Sequence, residues 1–290
     1  MISLDQRIAA FPVREAKTAA GTVCYRECGK GEPVLLLHGV GSSSASWVDF
    51  MACAGEALRG RRLIAWDAPG YGDSSRLPQD APMAADYAGA LHAMLDTLGV
   101  NQFELIGHSL GALIAGAFAA AHPARVRALI MLDPAGGYGA STDEVRQKMI
   151  DGRLRMLAEL GPKGMAEQRG AALLSPKASV EAIDLVKWSM GRVDVKGYEQ
   201  AVRMLARGRL AEDAAKYVGS PPAGPVSVMC GTEDTVTPEE GCRRIAAACR
   251  GAEYRSLPGL GHAGYVENPS MVAAEIARFL GRTMAGQQQQ

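Results

Sequence analysis

The sequence predicts an α/β protein: a mostly parallel eight-stranded sheet flanked by helices on both faces, with a helical segment inserted after the sixth strand. Three observations predict it. Short apolar runs bounded by glycine or proline, such as Val34-Leu35-Leu36-Leu37, read as strands buried on both faces. Longer segments, such as the one carrying Met83, Tyr87, Leu91, Met94, Leu95 and Leu98, keep helical spacing and alternate with those runs from residue 34 onward. A stretch from about Gly136 to Pro222 breaks the alternation, with helical patterning and no convincing strand.

Taken in order, strands are expected near residues 12–16, 22–28, 34–38, 62–67, 103–107, 126–132, 225–231 and 252–257. Helices are expected near 44–58, 83–98, 110–121, 238–249 and 269–281. Within the inserted stretch, Val145 to Leu160 and Ile183, Val186 and Met190 can each bury one helix face. The tail from Gln287 to Gln290 is low in complexity and reads as disordered.

With 290 residues, 48% hydrophobic and 21% charged, the chain can bury a substantial core. Its formal net charge is zero and its basic residues are dispersed, which argues against nucleic acid or an anionic membrane surface as partner. The N-terminal residues lack the apolar core of a signal peptide and no run approaches membrane-spanning length, so a cytoplasmic location is expected. The six cysteines form no metal-ligand spacing supported by a second pair, and Cys242 and Cys249 share an apolar helical stripe with Ile245 and Ala246. Free thiols, no disulfide and no zinc are therefore expected.

The chemistry concentrates at Gly107-His108-Ser109-Leu110-Gly111, where the run Phe103-Glu104-Leu105-Ile106 turns directly into a small-residue helix ending at His122-Pro123. A serine between two glycines at such a turn reads as a nucleophile elbow, because glycines on either side let the chain cross itself while the central residue stays strained and exposed. A nucleophilic serine with this elbow takes an acid and then a histidine downstream. Asp234 follows the run Pro225-Val226-Ser227-Val228-Met229-Cys230, and His262 lies in the glycine-rich loop after Tyr254-Arg255-Ser256-Leu257. Glu233, next to the acid, is expected to face solvent.

Of the five histidines only His262 lies downstream of both partners. His92 reads as a helix-surface residue, His122 as a helix end, and His108 as the variable elbow position. His38, in His38-Gly39-Val40-Gly41, reads as a brace for its loop. The backbone N–H groups of Val40 and Leu110 occupy the places from which an acyl-transfer site draws its oxyanion donors. Asp133, in Leu132-Asp133-Pro134 at the end of the sixth strand, competes for the role of acid. The Gly-x-x-Asp-x-x-x-Pro setting of Asp234 favours the latter.

These motifs, joined by Asp67-Ala68-Pro69-Gly70-Tyr71-Gly72-Asp73-Ser74, make the chain resemble the α/β-hydrolase superfamily over nearly its whole length. The resemblance implies a hydrolase core over residues 1–135 and 223–286, a helical cap over 136–222, and a triad of Ser109, Asp234 and His262. It implies no metal, nucleotide or organic cofactor. A serine at the elbow argues against haloalkane dehalogenases and epoxide hydrolases, which place aspartate there. The cap segments Gly164-Met165-Ala166-Glu167 and Gly197-Tyr198-Glu199-Gln200-Ala201 are faintly similar to the enol-lactonases. The chain lacks the Gly-Pro-Gly after His-Gly of carbon–carbon bond hydrolases and has His108 where those carry asparagine, so a small ester or lactone is the expected substrate. Carbon–carbon bond hydrolysis of ring-cleavage products and a non-catalytic small-molecule receptor remain the alternatives. Trp188, Met149, Met156 and Met190 are candidates for a substrate wall, although helical spacing favours ordinary packing.

Overall fold

A computed structural model describes residues 2–287. The eight strands are β1 (Arg14–Thr18), β2 (Gly21–Gly29), β3 (Glu32–Leu37), β4 (Arg61–Trp66), β5 (Phe103–His108), β6 (Val126–Leu132), β7 (Val226–Gly231) and β8 (Glu253–Leu257). They form one sheet in the order β1-β2-β4-β3-β5-β6-β7-β8. Only the pairings of β2, with β1 and with β4, are antiparallel. From β4 to the far edge at β8 all neighbours run parallel.

The helices are α1 (Leu4–Ala9), α2 (Val48–Ala57), α3 (Ala84–Thr97), α4 (Leu110–Ala121), α5 (Asp143–Arg169), α6 (Val180–Met190), α7 (Val195–Arg207), α8 (Leu210–Val218), α9 (Glu239–Ala248), α10 (Gly264–Glu267) and α11 (Pro269–Gln287). Since side chains alternate across a strand, β3 sends Leu35 and Leu37 to one face and Val34 and Leu36 to the other. The first set joins Tyr87 of α3, Leu113 and Phe118 of α4, Tyr217 of α8 and Ile245 of α9. The second joins Phe50 of α2, Leu185 of α6, and Ile276 and Phe279 of α11. This double cover explains why the central strands read as unbroken apolar runs.

The expected elements are present with shifts of a few residues, and two short helices went unread. α1 is held by a capping box between Ser3 and Gln6, and α10 follows directly on the His262 loop. The start expected at residue 44 is a 3-10 turn over Ser44–Trp47 before α2 begins. Between β6 and β7 lie only helices. α5 breaks at Gly161, where φ is 62° before Pro162, so the expected segment ending at Leu160 is the first arm of a kinked pair. α8 packs on α4, with Leu210 filling the space over Gly116. The tail residues 288–290 lie outside the described residues, and Gln287 closes α11. No helix among the described residues is long and apolar enough to cross a membrane. All six cysteines are free.

Candidate active site

Ser109 stands between β5 and α4 with φ 52° and ψ −114°, a strained conformation for a residue bearing a side chain. Close approach of backbones imposes it. A Cβ on Gly107 would meet the Gly111 carbonyl oxygen at 2.5 Å, and one on Gly111 would meet the Leu37 carbonyl oxygen at 2.4 Å. The two glycines therefore let the elbow fold back on itself and rest on the end of β3, which the spacing of the motif predicts.

His262, in the loop between β8 and α10, reaches Ser109 Oγ with Nε2 at 3.0 Å and Asp234 Oδ2 with Nδ1 at 2.8 Å. The structure thus brings together three side chains separated by up to 153 positions in the chain. The geometry fits Nδ1–H donating to the carboxylate, which leaves Nε2 to accept from the serine hydroxyl. Burial works to raise the Asp234 carboxyl, yet hydrogen bonds from His262 and Thr237 outweigh it and hold the group well below the usual carboxylate range. Asp234 Oδ1 accepts the N–H groups of Val236 and Thr237 at 2.7 and 2.9 Å. Glu233 is exposed, as expected.

The N–H groups of Val40 and Leu110 have no acceptor among the described residues, and both residues line the cavity beside Ser109. Leu110 opens α4, so its N–H also carries the positive end of that helix dipole. His38 braces the loop beneath Val40: its Nδ1 lies 2.8 Å from the Gly39 carbonyl and its Nε2 accepts from the Ala68 N–H at 3.0 Å. Burial lowers its pKa to about 4, so the ring is neutral. His92 and His122 stack on each other at 4.4 Å on the α3–α4 surface, away from the cavity.

Asp133 ends β6 with φ 45° and is buried. Its Oδ1 accepts the Gly231 N–H at 2.8 Å, and it has no hydrogen bond to His262 among the described residues. Its carboxylate lies with Cys230 Sγ and the Asp234 carboxylate inside 4.8 Å. Burial, and after it the neighbouring Asp234 charge, pushes the Asp133 carboxyl well above its ordinary value. Of the two carboxyl groups, Asp234 faces the imidazole and Asp133 lies behind it, bonded to the Gly231 N–H.

Several contributors escaped sequence reading. Thr237 Oγ1 lies 2.6 Å from Asp234 Oδ2, 3.0 Å from the Asp133 carbonyl and 3.1 Å from His262 Nδ1. Its signal was a threonine three residues after the acid, the spacing of a side-chain-closed turn. Glu267 accepts from the N–H groups of Ser175 and Gly261 at 2.9 and 3.0 Å and from the Ser175 hydroxyl, tying the histidine loop to the inserted segment. Tyr265 stacks on Trp47 at 3.9 Å and meets Ser46 Oγ at 2.8 Å, forming part of the cavity wall. Nothing in the periodicity marked these.

The cavity above Ser109 encloses about 800 Å³. Met149, Met156 and Met190 line it, together with Met165 and Tyr198. Trp188 does not line it, in keeping with the ordinary packing its helical spacing favours, whereas the methionines do line it. The Trp188 ring packs with the sheet face carrying α2 and α11, and the Arg192 guanidinium lies 4.1 Å above it.

Residues 32–269 match the model of a protein family described as the alpha/beta hydrolase fold. Among curated relatives, the chain is 26% identical over 294 residues to the 2-hydroxymuconate semialdehyde hydrolase of Pseudomonas sp., covering 92% of this chain and 93% of that one. It is 35% identical over 118 residues to the 2-hydroxy-6-oxo-6-phenylhexa-2,4-dienoate hydrolase of Comamonas testosteroni, a stretch spanning 40% of this chain and 41% of that protein. Among solved structures, a thermophilic esterase from Thermogutta terrifontis superposes with a TM-score of 0.80 at 23% identity, covering 94% of this chain and 99% of that one. The enol-lactonase from Burkholderia xenovorans gives 0.78 at 20% identity, covering 92% and 100%. The matched region takes in Ser109, Asp234 and His262 along with six of the strands, β3 to β8, and on that ground the chain belongs to the alpha/beta hydrolase fold family.

Proposed function

We propose that the protein is a serine hydrolase that cleaves a small carboxylic ester or lactone through an acyl-enzyme formed on Ser109. The observation that carries this reading is the continuous chain from Ser109 Oγ through the His262 ring to Asp234, at 3.0 and 2.8 Å, opening on the cavity. Ser109 Oγ attacks the acyl carbon while His262 Nε2 takes its proton, and Asp234 steadies the imidazolium that results. The oxygen that becomes negative lies between the N–H groups of Val40 and Leu110. The tetrahedral intermediate collapses, the carbon–oxygen bond to the leaving group breaks, and His262 returns the proton to that oxygen. Water then attacks the acyl group with His262 as base, releasing the acid and restoring the serine. In this reading α5, α6 and α7 form the cap over the site, whereas α8 belongs to the layer on α4.

The test is burst kinetics with 4-nitrophenyl acetate. One equivalent of nitrophenolate per active site is expected before the steady state, with turnover lost by about 10³- to 10⁶-fold in Ser109→Ala. Full activity in Ser109→Ala would overturn the assignment.

A second reading is favoured by the names of the relatives. Both curated hydrolases described above are named for dienoate or semialdehyde substrates, which supports carbon–carbon bond cleavage at the same serine and histidine. A vinylogous 1,5-diketone assayed beside esters and lactones separates the two. Binding of a small molecule without turnover on any of them would instead favour a receptor.

A further inference from the structure

The cavity is unbalanced in charge. Lys148, Arg153, Arg169 and Arg244 contribute to its lining, and no aspartate or glutamate does. Arg244 is paired with Glu240, while Lys148 and Arg169 are exposed. Arg153 differs from both groups. Five arginines have no carboxylate, carbonyl or ring partner among the described residues, and Arg59, Arg155, Arg169 and Arg250 are exposed to solvent. Arg153 alone of these is half-buried.

Its position on α5 explains where it points. Met149, Gly152, Arg153 and Met156 recur at helical spacing and all line the cavity beside Ser109, so Arg153 lies on the face of α5 that borders it. Arg146, two helical turns earlier on the same helix, differs: its guanidinium is spent on the Gly139 and Ser141 carbonyls and on Asp143. A guanidinium half withdrawn from water and given no anion by the protein forfeits solvation without recompense, unless a ligand supplies the charge. The rest of that wall is apolar, with Met165, Met190, Leu173 and Leu205.

We propose that the site takes an organic monoanion: an acyl compound with an apolar body whose carboxylate, remote from the scissile carbonyl, pairs with the Arg153 guanidinium. The proposal rests on the reading of Ser109 as the acyl-transfer nucleophile. It adds that the cap recognises charge as well as size. Guanidinium and carboxylate match in a bidentate, charge-assisted pair, and the exposed Lys148 and Arg169 add a positive field at the mouth.

Glutarate is the probe for binding without chemistry. Calorimetric titration into Ser109→Ala should show saturable binding, weakened about tenfold or more when Arg153→Met is added and partly restored by Arg153→Lys. In turnover, mono-(4-nitrophenyl) glutarate should exceed 4-nitrophenyl pentanoate in kcat/KM by about tenfold in the wild type, and Arg153→Glu should invert that ratio. Absence of saturable glutarate binding, glutarate binding indifferent to residue 153, or a ratio unchanged by Arg153→Glu would overturn the proposal. If esters are cleaved through Ser109 while glutarate binding ignores residue 153, the anion site alone falls. If glutarate binding follows residue 153 but Ser109→Ala retains full turnover, the nucleophile assignment falls and the anion site stands.

Discussion

The ring of His108 donates from Nε2 to the backbone carbonyl of His262 at 2.8 Å, joining two loops 154 positions apart. The residue beside Ser109 thereby holds the loop that carries His262. Its Nδ1 has no partner among the described residues, and burial lowers its pKa to about 3, so the ring is a neutral donor.

Removing that donor should loosen the loop that carries His262. His108→Ala is expected to lower kcat about tenfold with little change in KM and to cost roughly 2–4 kcal/mol of stability, through a lost buried hydrogen bond and a cavity. Steady-state kinetics and urea unfolding check both; a change confined to KM would contradict the positioning role.

The two buried carboxyl groups should respond unequally to amide replacement. Asp234→Asn removes the ion that orients and balances His262 and is expected to cut kcat by about 10⁴-fold. Asp133→Asn replaces a carboxyl that burial pushes toward its neutral form and that has no hydrogen bond to His262 among the described residues, and its expected loss is within about tenfold. The comparison of kcat/KM for the pair decides between them, and a larger loss in the Asp133 variant would transfer the role of acid.

Acid should destabilise the fold through the two buried histidines. Both His38 and His108 have folded pKa values, about 4 and about 3, below the unfolded value near 6.5, so below pH 6.5 the unfolded chain binds more protons. Each withdraws roughly 3–5 kcal/mol as pH falls from ~6.5 toward those values. Asp67 acts in the opposite sense. Burial raises it to about 6, so its penalty is present above that pH and relieved as pH falls toward the unfolded value of 3.8, which offsets part of the loss. The melting temperature should drop between ~pH 6.5 and 4, and the drop should be shallower in His108→Gln. An equal slope in wild type and variant would exclude His108 as a contributor.

Gly111→Ala places a methyl group 2.4 Å from the Leu37 carbonyl oxygen and 2.8 Å from that of His38. Neither backbone can retreat without moving β3 or the loop carrying Val40. The substitution is expected to cost about 2–4 kcal/mol and to lower kcat more than KM. Thermal unfolding alongside kinetics tests it, and a neutral effect on both would contradict the tight packing of the elbow.

Much of this was legible in the chain because the signals are local. A parallel strand buried on both faces must be an apolar run, and a tight strand-to-helix turn must place glycines around its central residue, so β3, β5 and the elbow could be read from composition and spacing alone. Ser109, Asp234 and His262 followed because each sits at a strand's end within glycine-rich or turn-forming sequence. Glu267 and the His108–His262 bond could not be read, because their partners are set by how loops after different strands meet, while the Thr237–Asp234 turn carried a local signal that went unread. Met149, Met156 and Met190 could not be placed on the cavity for the same reason: helical spacing states that a face is buried, not what it is buried against.

The sequence by itself determined the strand–helix alternation and the glycine-framed turn around Ser109, since backbone sterics and hydrophobic periodicity act over a few residues. Only the tertiary structure decided which of two buried aspartates faces the imidazole, that Arg153 stands over the cavity with no carboxylate beside it, and that α8 packs on α4. Those outcomes depend on which side chains from distant segments compete for one desolvated volume, and a buried charge or hydrogen bond has no energy until its partner is in place.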